Sequence, residues 1–201
     1  MAEKTEPNGN GKNVLVTPTG KCEWAKILKP DTKWNSDGEY SIDLFLGEEE
    51  SAEIVAGIRT AVKKLQDSVT ADGHDTPGYA NPPFTKTETG YKFKFKQKAK
   101  GGDFDFTVDV YDAATKEWPK DLLIGNGSTV KVAYEYYAWN VAVQGGVGCT
   151  LRLKAVQVIN HVEYIKDAKT FGFIAEKGTK VDEAEAHTIA QEFEDSCDIT
   201  F

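Results

Sequence analysis

The sequence predicts a mainly β fold: a small five-stranded antiparallel Greek-key barrel with one α-helix and extra β-hairpin and loop insertions. Three observations lead there. Short segments of period-two alternation recur along the chain, enough for six or more strands. Glycine turns separate them. Only one stretch, 48–69, repeats its apolar residues at helical spacing.

Taken in order, residues 1–12 are polar, contain Asn8-Gly9-Asn10-Gly11 and read as a flexible arm. Val14, Leu15 and Val16 open the first strand. In 41–46, Ile42, Leu44 and Leu46 share one face of a second. The helix follows, with Ile54, Ile58, Val62, Leu65 and Val69 as its buried stripe. Glu48, Glu49 and Glu50 stand at its N-terminal end, where the macrodipole favours anions. Residues 71–90 carry three prolines and three glycines and read as a loop, a length unusual in a compact domain unless it has a function. Residues 91–98 then alternate aromatics with lysines, and 103–110 alternate aromatics and valines with aspartates. With Gly101-Gly102 between them they read as a hairpin burying Phe93, Phe95, Phe104 and Phe106 together. On its other face Lys98 would oppose Asp103, Lys96 Asp105 and Lys92 Asp109, as cross-strand ion pairs. A last hairpin joins 130–139 to 149–159 through Gln144-Gly145-Gly146-Val147-Gly148. Leu151, Leu153 and Ala155 share a face, but Val156 and Val158 break that phase, which predicts a bulge of the kind found at barrel corners. Such strands close as a small barrel or pack as a sandwich; five strands in a barrel with one helix make the OB-fold plan, the one expected here.

Composition narrows the function classes. The chain has 201 residues, 40% of them hydrophobic, enough for a core. No stretch approaches the ~20 apolar residues of a membrane span, and the N-terminus lacks the apolar region of a secretory signal. The net charge of −8 is unevenly spread. Residues 182–201 hold seven acids and no Lys or Arg; the rest carries 24 basic and 25 acidic residues. The body is therefore near neutral and the tail anionic. Cys22, Cys149 and Cys197, with His74, His161 and His187, show no metal-ligand spacing, so neither a metal nor a cofactor is expected. Phosphate-binding lysine loops, nucleophile elbows and zinc-protease motifs are all missing, so the chain reads as a non-enzyme.

Basic residues interleaved with aromatics fit single-stranded nucleic acid, whose bases stack on rings and whose phosphates attract Lys and Arg. Three segments qualify: 21–40, with Trp24, Lys26, Lys33, Trp34 and Tyr40; 91–100; and the face of the last hairpin holding Lys131, Tyr137, Trp139, Arg152 and Lys154. Exposed rings beside cations on that last face have no solubility rationale. Lys86, Lys92, Lys94, Lys96, Lys98 and Lys100 outnumber nearby acids, so the lysine face can also touch phosphate. The expected stacking platforms are Trp34, Tyr40, Tyr137 and Trp139; the expected phosphate contacts are Lys94, Lys96, Lys131, Arg152 and Lys154.

The tail ends Glu192-Phe193-Glu194-Asp195-Ser196-Cys197-Asp198-Ile199-Thr200-Phe201. An acidic tether with an apolar tip suits a basic-rimmed pocket on another protein, or competition with phosphates for a cationic groove. Glu192, Glu194, Asp195, Asp198 and Phe201 are its expected partner contacts.

Asp198-Ile199-Thr200-Phe201 resembles the Asp-Ile-Pro-Phe tip of bacterial single-stranded DNA-binding proteins, with threonine in place of the proline. The tail as a whole resembles that of the tailed-bacteriophage single-stranded DNA-binding proteins. Residues 39–46 before the helix, 124–132, and 148–158 are similar to that phage branch, and the layout matches over most of 14–165. The resemblance implies an OB-fold that coats and protects single strands without regard to sequence in DNA replication, recombination and repair. It implies a tail that recruits replication and recombination proteins (polymerase, helicase-primase), location in the cytoplasm of the bacterial host, and in some relatives a homodimer. The domains expected are an arm at 1–12, an OB-fold binding domain at 13–178 and an acidic tail at 179–201. The rival readings are a virion structural or decoration β-domain and an acidic DNA-mimic inhibitor.

Overall fold

The structure, a computed structural model, describes residues 13–164 except Trp34, His74 and Asp103, together with Ile174, Glu176 and Lys177. The N-terminal arm lies outside the described residues. In chain order the elements are β1 (Leu15–Val16), β2 (Gly20–Asp31), β3 (Glu39–Gly47), α1 (Glu48–Ala71), β4 (Phe84–Lys86), β5 (Gly90–Lys98), β6 (Lys100–Gly101), β7 (Phe104–Asp105), β8 (Asp109–Tyr111), β9 (Thr129–Val141) and β10 (Gly146–Asn160). A single 3-10 turn, Ala142–Gln144, links β9 to β10.

Five of these strands close a ring: β2 pairs with β3, β3 with β5, β5 with β10, β10 with β9, and β9 with β2. This is the OB-fold barrel the alternation predicts, with one difference. Every pairing in the ring is antiparallel except β5–β10, which is parallel at Phe95↔Leu151 and Lys96↔Arg152. A closed ring with an odd number of strands cannot reverse direction at every step, so one parallel pair is unavoidable. Short strands extend the edges: β1 joins β9, β4 joins β5, and β8 joins β10 in parallel.

The inward rows follow the alternation. Ile42 and Leu44, Phe93 and Phe95, Val130 and Val132, and Leu151 and Leu153 are fully buried, each side chain stabilising the fold by about 1.5–3 kcal/mol. The phase break in β10 is real. The register against β9 shifts between Leu153 and Ala155, which turns Val156 and Val158 inward and leaves Ala155 half-buried. The helix covers the barrel with Ile54, Val55 and Ile58. Tyr136 reaches it from β9 and donates its hydroxyl to the Ile54 carbonyl at 3.3 Å. Gly57 makes room for that ring, since a Cβ there would stand 2.2 Å from the tyrosine oxygen.

The long segment after α1 is tied down. The Val147 amide donates to the Gly78 carbonyl at 2.8 Å, Ala80 donates to the Val147 carbonyl at 2.9 Å, and Gln66 of α1 donates to the Pro77 carbonyl at 2.9 Å.

The hairpin expected from 91–98 and 103–110 does not form. A strand has two edges, and both edges of β5 are taken, one by β3 and the other by β4 and β10. The following segment therefore splits. Lys100–Gly101 and Phe104–Asp105 make a two-rung hairpin of their own. Asp109–Tyr111 pairs with Ala155–Gln157 of β10, on the same edge as β5 but further along, and Val108 and Val110 enter the core. Phe93 and Phe95 are core, as expected; Phe104 and Phe106 are not, being 72% and 43% exposed. The lysines of β5 find acids on β3 instead: Lys96 pairs with Glu39 at 2.9 Å and Lys92 with Asp43 at 3.9 Å.

Candidate nucleic-acid interface

The parallel pair sets the geometry of the outer face. It lays Lys96 of β5 beside Arg152 of β10. On the other edge of β10, β9 brings Tyr137 opposite Thr150 and Glu135 opposite Arg152. Past the end of β5 stands the β6–β7 hairpin, carrying Lys100 and followed by Phe106. Between these elements lies a groove of about 580 Å³, lined by Lys96, Lys98, Lys100, Arg152 and Lys154, with Phe106, Tyr137, Thr150 and Glu39 among its other walls.

Its charge is cationic. Two of the five cations are matched by internal carboxylates, Lys96 by Glu39 and Lys154 by Glu135, both at 2.9 Å. These pairs are partly solvated, worth about 0–1 kcal/mol each, and a phosphate can displace them. Among the described residues, Lys98, Lys100 and Arg152 have no carboxylate within ion-pair distance. The Arg152 guanidinium lies 3.4 Å from the centroid of the Tyr137 ring. Such a stack offers a plane on which a base can stack, and a guanidinium can also bind phosphate oxygens.

Four of the nine expected body residues meet in this groove: Lys96, Tyr137, Arg152 and Lys154. The others do not. Trp34 lies outside the described residues, as do Glu192, Glu194, Asp195, Asp198 and Phe201 of the tail. Tyr40 is a correction: it sits on the inward row of β3 with Ile42 and Leu44 and is buried, so it offers no exposed ring to the outer face. Trp139 is half-buried on its own hairpin. Its indole packs on Gly148, where a Cβ would come within 2.4 Å of the ring, and its N–H donates to the Thr150 hydroxyl at 3.0 Å. It supports the groove through Thr150 rather than lining it. Lys94 is exposed on the outer face opposite Asp43, beyond the groove. Lys131 shares the outer row of β9 with Tyr137, but six residues away, about 20 Å at a strand's rise. It lines a separate shallow depression with Val16, Tyr111 and Gln157.

Phe106 is the groove residue that pattern reading misses. Its alternation matches that of a buried row, and only the occupied edges of β5 reveal that it cannot be one. Trp24 is 62% exposed at a bulge in β2, with a left-handed φ of 52° and its amide donating to Asn126 at 2.9 Å.

Burial pushes the Cys22 and Cys149 thiols up to about 11, and both are free and enclosed. Among the described residues no group of His, Cys, Asp and Glu stands where it could hold a metal ion. No helix among them is long and apolar enough to cross a membrane.

The barrel resembles solved structures. Gp2.5, a single-stranded DNA binding protein encoded by bacteriophage T7, superposes with a TM-score of 0.70 at 21% identity, over 85% of this chain and 98% of that one. The single-stranded DNA-binding protein from bacteriophage Enc34, in complex with ssDNA, superposes with a TM-score of 0.50 at 16% identity, over 81% and 98%. Another structure of the Enc34 protein covers 92% of this chain and 99% of its own, at 14% identity and a TM-score of 0.50. These likenesses establish a shared fold. No protein-family model matches the sequence, and no curated protein is significantly similar to it.

Proposed function

We propose that the chain is a non-enzymatic, sequence-independent single-stranded DNA-binding protein that coats and protects single strands. The observation that carries this is the groove: Lys98, Lys100 and Arg152, which have no ion pair among the described residues, around an arginine-stacked tyrosine on the outer face of a closed five-stranded barrel. Rings and cations of this kind grip stacked bases and phosphates without reading base identity. The structural neighbours, phage proteins that bind single-stranded DNA, support the same reading. With them goes a setting in phage DNA replication, recombination and repair, in the cytoplasm of the bacterial host. On this reading 13–178 binds DNA, and the tail recruits replication and recombination proteins through Glu192, Glu194, Asp195, Asp198 and Phe201. Seven acids and a terminal aromatic suit that task.

The test is a titration of the full chain, and of a chain ending at residue 181, with fluorescent oligo(dT) and with a duplex of equal length at two salt concentrations. Oligo(dT) binds preferentially and weakens with salt, the logarithmic slope falling by about 0.7 for each phosphate neutralised. Removing the seven acids tightens binding at low salt, where charge acts at long range, and much less at high salt. A full chain and a shortened chain that both ignore oligo(dT) at low salt sink the reading.

A further inference from the structure

The β6–β7 hairpin presents two exposed phenylalanines that the core does not use. Phe104 is the cross-strand partner of Gly101, and the Phe106 ring lies where a Gly101 Cβ would point, so both rings stand on one face of the hairpin. Phe106 stands at the root and lines the groove across from Tyr137; Phe104 stands nearer the tip and is the more exposed. The turn is built to allow this. A Cβ on Gly101 would meet the Phe106 ring at 2.5 Å, and Gly102 holds a left-handed φ of +65°. Two rungs hold the hairpin together, and it forms a sheet separate from the barrel. Its root is anchored through the Phe106 amide to the Ala99 carbonyl at 2.8 Å and the Ala99 amide to the Gly38 carbonyl at 2.9 Å. A hairpin this small is marginal alone. Lys98 and Lys100 stand at the same root, with no ion pair among the described residues.

Large exposed rings beside unmatched cations mark a surface meant to be covered. We propose that β6–β7 is an aromatic clamp on the bound strand. Phe106 stacks on a base held within the groove, opposite the Tyr137–Arg152 stack. Phe104 stacks on the next base outward, and Lys98 and Lys100 hold the phosphates beside them. The ligand is therefore a run of unpaired bases longer than the groove alone covers. The clamp rests on the single-strand-binding reading above and adds residues that the charge pattern does not supply.

The test compares the full chain with Phe104→Ala, Phe106→Ala, Phe106→Leu and Arg152→Ala, by fluorescence anisotropy with oligo(dT) at several salt concentrations. Each Phe→Ala variant loses about 5- to 150-fold in affinity, the range for one stacked base. Its salt slope stays at the wild-type value, because a ring releases no counterions. Phe106→Leu, which keeps apolar bulk without a π-face, falls between wild type and alanine. Wild-type affinity in both alanine variants overturns the clamp. So does a loss accompanied by a shallower salt slope, since the hairpin would then only position its lysines. A full chain that fails to bind oligo(dT) at low salt overturns the clamp together with the function. A chain that binds, is weakened by Arg152→Ala and is indifferent to both phenylalanines overturns the clamp alone.

Discussion

Residues 91–98 and 103–110 carry the same kind of pattern and meet opposite fates. Both alternate apolar with charged residues, and both put two phenylalanines on one row. In β5 the row is sealed: Phe93 and Phe95 have no exposure. In the later segment Phe104 and Phe106 face outward, and only Val108 and Val110 are covered. Nothing in the local sequence separates the two pairs. The difference is one of neighbours: β5 has a strand on each edge, whereas β7 has only the two rungs of β6. Alternation says that a segment has two unlike faces. Which face is covered, and by what, depends on edges supplied by distant parts of the chain.

The sharpest way to break this comparison is stability. Phe93→Ala or Phe95→Ala opens a cavity in the barrel and costs about 3–5 kcal/mol in urea unfolding. Phe104→Ala, acting on an exposed ring, changes stability by no more than about 0.5 kcal/mol. Equal losses would mean that the two rows are alike after all.

The next effect is on binding. Arg152→Ala removes both a charge and the plane stacked on Tyr137, and weakens oligo(dT) binding about tenfold or more. Its logarithmic salt slope also falls by about 0.7, which a ring lost from the hairpin does not cause. Anisotropy at several salt concentrations reads both quantities. An unchanged slope would take Arg152 off the phosphate path.

A smaller effect tests the acids that answer the β5 lysines. Glu39→Gln frees Lys96 and strengthens oligo(dT) binding at low salt by about two- to fivefold, the scale of one partly exposed ion pair. Weaker binding would show that Glu39 orients Lys96 rather than competing for it.

A separate effect, read only at alkaline pH, concerns the covered side of the walls, where Cys22 and Cys149 are buried. Burial raises both thiols to about 11, above the ordinary cysteine value of about 8.5. An acid raised in this way contributes stability that is complete below its unfolded value and is lost as pH climbs toward the folded one. Urea midpoints therefore fall between about pH 8.5 and 11, and Cys149→Ala flattens that decline. An identical decline in the variant would assign the alkaline loss to other groups.

The candidate site divides along the same line. Tyr137, Arg152 and Lys154 were legible because the last hairpin is local: a glycine turn sets the register, and register sets the face. Lys96 was legible as a lysine on an outward row, but its place beside Arg152 required the parallel β5–β10 pair, two strands 56 residues apart at the Lys96↔Arg152 contact. Tyr40 was misread because an aromatic between polar neighbours, Glu39 and Ser41, looks the same whether its row faces out or in. Phe106 was misread for the converse reason.

Local periodicity and turn chemistry were enough to determine α1 and the β9–β10 hairpin with its phase change. They suffice because each depends on residues a few positions apart, where backbone geometry alone decides which side chains share a face. Tertiary structure alone decided the parallel closure, the buried Tyr40, the outward Phe104 and Phe106, and the meeting of Lys96 with Arg152. Those outcomes turn on which strand edges are still vacant when distant segments arrive, and no short-range pattern records that.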